Sequence, residues 1–334
     1  METRKVQVTG GSTYTVSLPK EWATENDVSA GSVVEFHSEE DMLLLSPQDD
    51  RERAEGSLDV SGLTEETELT RAVMTMYVSG FDIIRLEAPR ISATQRRYIR
   101  NATQGLVGLE VIEETGDRVV LQDLLDSSEL SVNNAITRMR LVSLTMTADA
   151  VTALIEDDDE LAADVMERDD DVDRLWYMVS RVFRTVLRNP TAANDMGFPR
   201  ETVFDYQSGA RQLERIADHA NKIADIATDI EAVPEEEADA LDELREIAIS
   251  VPETAMDALL ADDPDEAVSL ANEARGRIPE VDEKAREVDS LIRQFDDPQR
   301  AHRLGLVVDS LSRTADYGSN IAESALQKAV PRPA

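Results

Sequence analysis

The chain is 334 residues long and carries 69 Asp and Glu against 34 Lys and Arg, a formal charge of −35. That length has room for two or three domains. The absence of cysteine excludes disulfides, thiolate catalysis and cysteine-held zinc or iron–sulfur centres. The opening METRKVQVTG has no apolar stretch after its charges, and no apolar run nears the roughly 20 residues that span a bilayer, so a soluble cytoplasmic protein without membrane insertion is expected.

Residues 1–48 read as a small all-β module. Lys5–Thr9 and Thr13–Leu18 alternate like strands, with a turn at Gly10-Gly11 between them. Pro19 suits the first position of a short helix ending near Asn26. Val33–His37 and Met42–Ser46 predict two more strands around a turn at Glu39–Asp41, and Pro47 closes the module. So short a unit buries little surface alone, which predicts pairing with a second copy to complete its barrel.

Residues 49–64 are polar and read as a linker. Residues 65–126 read as a small α+β segment. Glu65–Val78 predicts a helix, Phe81–Leu86 a strand, Ser92 caps a helix to Gln104, and Gly108–Ile112 with Arg118–Leu121 form a hairpin. No chemistry attaches to this segment.

From Ser131 the period becomes helical. The spacing predicts helices over Val132–Ile155, Glu160–Leu187 and Arg200–Ile230, with a loop holding Asn189-Pro190 and Gly197-Phe198-Pro199. After Pro234, three more cover Ala238–Leu260, Pro264–Phe295, which Pro279 kinks or splits, and Pro298–Ala329. Arg211–Ala227 and Asp309–Ala325 match at an offset of 98 residues, with seven identities in seventeen positions. Both segments close a group of three helices, so the pattern predicts a twice-repeated three-helix unit.

On the first matching helix, Leu213, Ile216, Ala220, Ile223 and Ala227 form a core stripe, and Glu214, Asp218, Asn221 and Asp225 lie on the adjacent flank. Asp169 and Asp173, also four apart, mark a second acidic strip on the preceding helix. Adjacent helices would bring four carboxylates together, and oxygen-only ligands favour Mg, Ca, Mn or iron over zinc. Spacing alone more often marks a solvated acidic flank, because pairs of acids four apart abound in so charged a chain.

Catalytic motifs are missing. The histidines are His37, His219 and His302, with no H-x-x-x-H pair, and His219 points about 100° away from Asp218 on its helix. Gly10-Gly11-Ser12 lacks the Lys-Ser/Thr ending of a phosphate-binding loop, and no G-x-S-x-G elbow occurs. No enzyme is expected.

The placing of ERIADHANKIAD and SRTADYGSNIAE on the third and sixth helices resembles the PhoU family of phosphate-uptake regulators. The resemblance covers 131–330 and implies tandem three-helix bundles over 131–232 and 236–330. It implies partners in the phosphate ABC transporter or its regulators. It also implies a divalent metal or iron cluster on (E/D)xxxD motifs, which Asp169 with Asp173 and Glu214 with Asp218 match. The second repeat departs, with Ser312 before Asp316 and Ala285 before Asp289 where acids are expected, so at most one full site is expected.

GGSTYTVSLPKEW resembles the AbrB/SpoVT swapped-hairpin module, which dimerises and often binds DNA. The resemblance makes Arg4, Lys5 and Lys20 candidate phosphate contacts. Thr15, Ala23 and Thr24 stand where DNA-binding relatives tend to place Arg, so dimerisation alone is the other reading. The scattered acids and scarce lysine resemble proteins of salt-loving archaea. The expected function is a homodimeric regulator of phosphate uptake working through protein contacts. The alternative is a dedicated transcription factor with the helical domain as sensor.

Overall fold

The computed structural model describes residues 3–39, 42–47, 53–125, 131–189, 192, 196, 198–231 and 233–331. Glu40 and Asp41 of the expected turn, residues 49–52 of the expected linker, and Pro190 and Gly197 of the expected loop lie outside these described residues. The chain divides into two units, 1–53 and 54–334.

The first unit is two antiparallel hairpins and a short helix. β1 (Gln7–Thr9) pairs with β2 (Thr13–Thr15), and β3 (Val34–Glu39) pairs with β4 (Met42–Pro47). Gly10 and Gly11 make the first turn at φ 65° and 83°, the left-handed region that glycine enters without steric cost. α1 (Lys20–Glu25) follows Pro19, as the sequence predicts. None of residues 3–37 and 42–47 is buried, and Val8, Tyr14, Phe36 and Leu43 are all more than half exposed.

The second unit opens with a strand where a linker is expected. β5 (Glu55–Asp59) pairs in parallel with β6 (Ile83–Glu87). With one large apolar residue, EGSLD gives no alternation to read, yet its small residue is required. A Cβ on Gly56 would lie 2.6 Å from Met76 Cε and 2.7 Å from Phe81 Cε1. The α+β segment therefore begins at residue 54. α2 (Glu66–Val78) makes the crossover between the parallel strands, and α3 (Ala93–Gln104) leads on to β7 (Leu109–Glu114) and β8 (Arg118–Asp123). The sheet order is β5-β6-β8-β7, with β8 antiparallel to both neighbours. Ser92 caps α3 in a reciprocal box with Gln95. Leu69, Val73 and Tyr77 of α2 bury against Ile84, Leu86, Ile99 and Leu121.

The helical repeats follow. α4 (Val132–Glu156), α5 (Asp159–Arg188) and α6 (Arg200–Ala227) pack on one another. α7 (Glu235–Leu260) packs with α8 (Pro264–Gly276), α9 (Ile278–Ile292) and α10 (Pro298–Ala329). The long fifth helix is split just before Pro279, whose missing N–H and fixed φ suit the start of α9. The matching segments 211–227 and 309–325 occupy equivalent places, each the last helix of its repeat, and α6 and α10 pack along each other. At this seam His219 meets Tyr317, its counterpart 98 residues on, at 3.4 Å, and its other nitrogen lies 3.1 Å from Ser310 Oγ. Gly318 of α10 lies against Pro252 inside α7, where a Cβ would come 2.5 Å from the proline nitrogen. Among the described residues no helix is long and apolar enough to cross a membrane.

Candidate functional site

α5 and α6 run side by side, and their register brings the two predicted acid pairs to one strip. Asp169 and Asp173 stand on α5, Glu214 and Asp218 on α6. Asn221, one turn beyond Asp218, donates from Nδ2 to Asp169 Oδ2 at 2.8 Å. Tyr177 donates its hydroxyl to Asp173 Oδ2 at 3.2 Å. Arg211 donates to Glu214 Oε1 at 2.8 Å and stacks over Trp176, 5.1 Å from the ring centre. Glu214 Oε2 is buried with no hydrogen-bond partner. Asp225, on the flank in the sequence reading, is exposed.

Burial and mutual repulsion oppose ionisation here. Glu214 is pushed up to about 7, first by burial and then by Asp218 and Asp173, against the opposing charge of Arg211. Asp173 is pushed up to about 6 by burial and by Asp169, with the Tyr177 bond pulling the other way. Asp169 is raised by burial, offset in part by the Asn221 bond.

Among the described residues no three His, Asp or Glu side chains are gathered tightly enough to hold one metal ion. Every donor is oxygen, the chemistry of a hard cation, and Glu214 Oε2 lacks a hydrogen-bond partner, but the side chains as placed do not close around one ion. Asp218 is exposed, and so is its equivalent in the second repeat, Asp316, which faces Arg313 and has Ser312 four residues before it. Sequence reasoning finds the four acids but not Tyr177 or Arg211. Tyr177 carries a usable signal, lying four residues after Asp173. Of the basic candidates, Arg4 and Lys5 precede β1 and Lys20 opens α1, and all are exposed.

The strip carries a pH prediction. The folded pKa values of Glu214 and Asp173 lie above their ordinary 4.5 and 3.8, so the folded state binds protons more tightly than the unfolded chain. The stability they contribute is complete at acid pH and is lost as pH rises through about 6 and 7. In chelator-treated buffer at fixed salt, stability is expected to fall between pH 5 and 8 by on the order of 1–2 kcal/mol. Glu214→Gln should flatten that fall in urea titrations, and an unchanged slope would contradict the burial of this carboxyl.

Two helical repeats joined along their last helices, with an acidic strip on the first, define a tandem helical-bundle protein with an added α/β segment and a β module. The PhoU domain model matches residues 136–227. A model described as antidote-toxin recognition MazE, bacterial antitoxin, matches residues 7–53. The phosphate-specific transport system accessory protein PhoU homolog of Pseudomonas aeruginosa is 31% identical over 183 residues, covering 52% of this chain and 72% of that relative. The crystal structure of PhoU from Pseudomonas aeruginosa aligns with a TM-score of 0.50 at 25% identity, covering 58% of this chain and 93% of that one. The chain belongs to the PhoU family, and its N-terminal unit is of the MazE/AbrB-like kind.

Proposed function

We propose that this protein regulates phosphate transport by binding a component of the phosphate transport system through its helical repeats. The relationship to the phosphate-transport accessory protein carries this reading. The uncovered apolar side chains of the N-terminal unit support a homodimer formed through that unit. Deleting the gene tests the function. Uptake of radiolabelled phosphate in phosphate-replete cells is expected to rise, and unchanged uptake would remove the proposal.

A second reading, direct control of transcription, draws support from the MazE-type match and from exposed Arg4, Lys5 and Lys20. The overall charge of −35 opposes it, since a basic stripe is the usual footprint of a DNA-binding surface. Gel shifts with the full chain in molar KCl separate the two. Sequence-selective binding that Lys5→Ala and Lys20→Ala abolish would favour this second reading.

A further inference from the structure

Neither family model reaches residues 54–125, and the function above gives them no role. Arg181 of α5 fastens them to the first repeat, donating to the carbonyls of Tyr77 and Phe81 and pairing with Asp82 and Asp123. Leu58, Leu86 and Val119 lie side by side on the face of the sheet that meets the segment's core. Alternation along the strands puts their neighbours Asp59, Glu87 and Arg118 on the opposite face. Asp59 is the register partner of Glu87, and Glu87 of Arg118, so the three form one rung across β5, β6 and β8. The rung stands at the carboxyl ends of the parallel strands β5 and β6, where open α/β sheets bind their ligands. A cavity of about 650 Å³ opens there, within the roughly 300–1,000 Å³ of small-molecule sites. All three residues line it, with Ala88 and Pro89 as its apolar side.

The charges on this rung do not satisfy one another. Opposite charges directly across an antiparallel pair attract, yet among the described residues Arg118 makes no ion pair with Glu87. Its Nη2 donates instead to Glu113 of β7 at 2.5 Å, and its Nε is buried with no hydrogen-bond partner. Two residues back on the same face, Arg85 does close on Glu55, at 2.8 Å. Asp59 accepts the Ser61 amide at 2.9 Å, which holds its carboxyl below the usual range and therefore ionised. Asp117, in the turn that walls the cavity, is already taken by the Thr115 hydroxyl at 2.8 Å. An acid and a base thus face the cavity from neighbouring strands, held apart.

We propose that this cavity binds a free α-amino acid, with Arg118 taking its carboxylate and Glu87 and Asp59 its ammonium. Among the described residues no three acids gather about one point, so the lining does not suit a metal ion. A simple anion would meet two unpaired carboxylates, and a simple cation would leave the spare donors of Arg118 unmet. A zwitterion answers both. Adjacent strands lie roughly 4.8 Å apart, a spacing that matches opposite charges carried on one carbon. The ligand is neutral overall, so the chain's charge of −35 neither repels nor attracts it. The site is independent of the phosphate-transport reading, and failure of either leaves the other standing.

Isothermal titration calorimetry of the full chain in molar KCl, with each common L-amino acid in turn, tests the site. At least one is expected to bind once per chain with a Kd of about 1 mM or tighter. Its N-acetyl and carboxamide derivatives each lack one charge and are expected to bind about tenfold more weakly or worse, the loss of one charge-assisted hydrogen bond. Arg118→Gln and Glu87→Gln should weaken the parent amino acid by a similar factor. Glu113→Gln removes the partner of Arg118 outside the cavity and should leave the affinity near its wild-type value. No binding by any common amino acid overturns the proposal. So does a derivative that binds as tightly as its parent. A Glu113→Gln variant as weak as Arg118→Gln also overturns it, because the loss then belongs to the fold of the hairpin.

Discussion

Arg181→Ala is expected to lower the unfolding free energy of the full chain by about 3–5 kcal/mol, the usual cost of breaking a buried ion pair from one side. Its side chain and that of Asp123 are each 6% exposed, so neither charge has water in reserve. Asp123 keeps one bond, from the Leu125 amide at 3.1 Å to Oδ1, and loses its cation. The carbonyls of Tyr77 and Phe81, at and just beyond the end of α2, lose a shared donor as well. Arg181→Lys should recover less than half of the loss. An ammonium cannot present the planar fork that reaches two carbonyls and two carboxylates together, nor stack on Tyr77 in the same way. Urea unfolding at constant molar KCl measures both variants. A loss below about 1 kcal/mol for Arg181→Ala would place the pair among solvent-screened surface bridges.

The second large effect is expected in the N-terminal unit, where Phe36→Glu combined with Leu43→Glu should convert a dimer into a monomer. Phe36 and Leu43 are 58% and 63% exposed, and none of residues 3–37 and 42–47 is buried. A hairpin pair with no core is marginal in water. Burying a Phe or Leu side chain stabilises by about 1.5–3 kcal/mol, so replacing two with carboxylates should weaken self-association by at least about 100-fold on the same scale. Light scattering of the eluting protein reads the mass, and circular dichroism of the helical repeats should stay unchanged. A dimer mass for the double variant would show that chains associate elsewhere, and a monomeric wild type would remove the dimer altogether.

The helical repeats are legible because their third helices keep identical residues at a fixed offset and prolines punctuate the helix starts. Pro264, Pro279 and Pro298 all stand in the first turn of a helix. The acid pairs are legible too, since steps of four survive any helical environment. The Arg181 attachment is not. Three of its partners, Tyr77, Phe81 and Asp82, lie 99 to 104 residues away, and two of these are backbone carbonyls, which carry no sequence signal. β5 escapes for a different reason. The close approach of Met76 and Phe81 forces a glycine into a strand, and glycine reads as loop. Burial of Glu214 is equally silent, because one acid among 69 looks like its neighbours until α5 covers it.

The meeting of His219 with Tyr317 at equivalent positions has one more consequence. In a symmetric pair of separate chains, every substitution is made twice. Joining the halves in one polypeptide lifts that obligation, so facing partners across the seam can differ, as an imidazole and a phenol do here. The same freedom lets one half hold an electrically costly row of carboxylates while its twin carries serine and alanine at the matching places, a division of labour that self-assembly of identical halves cannot reach.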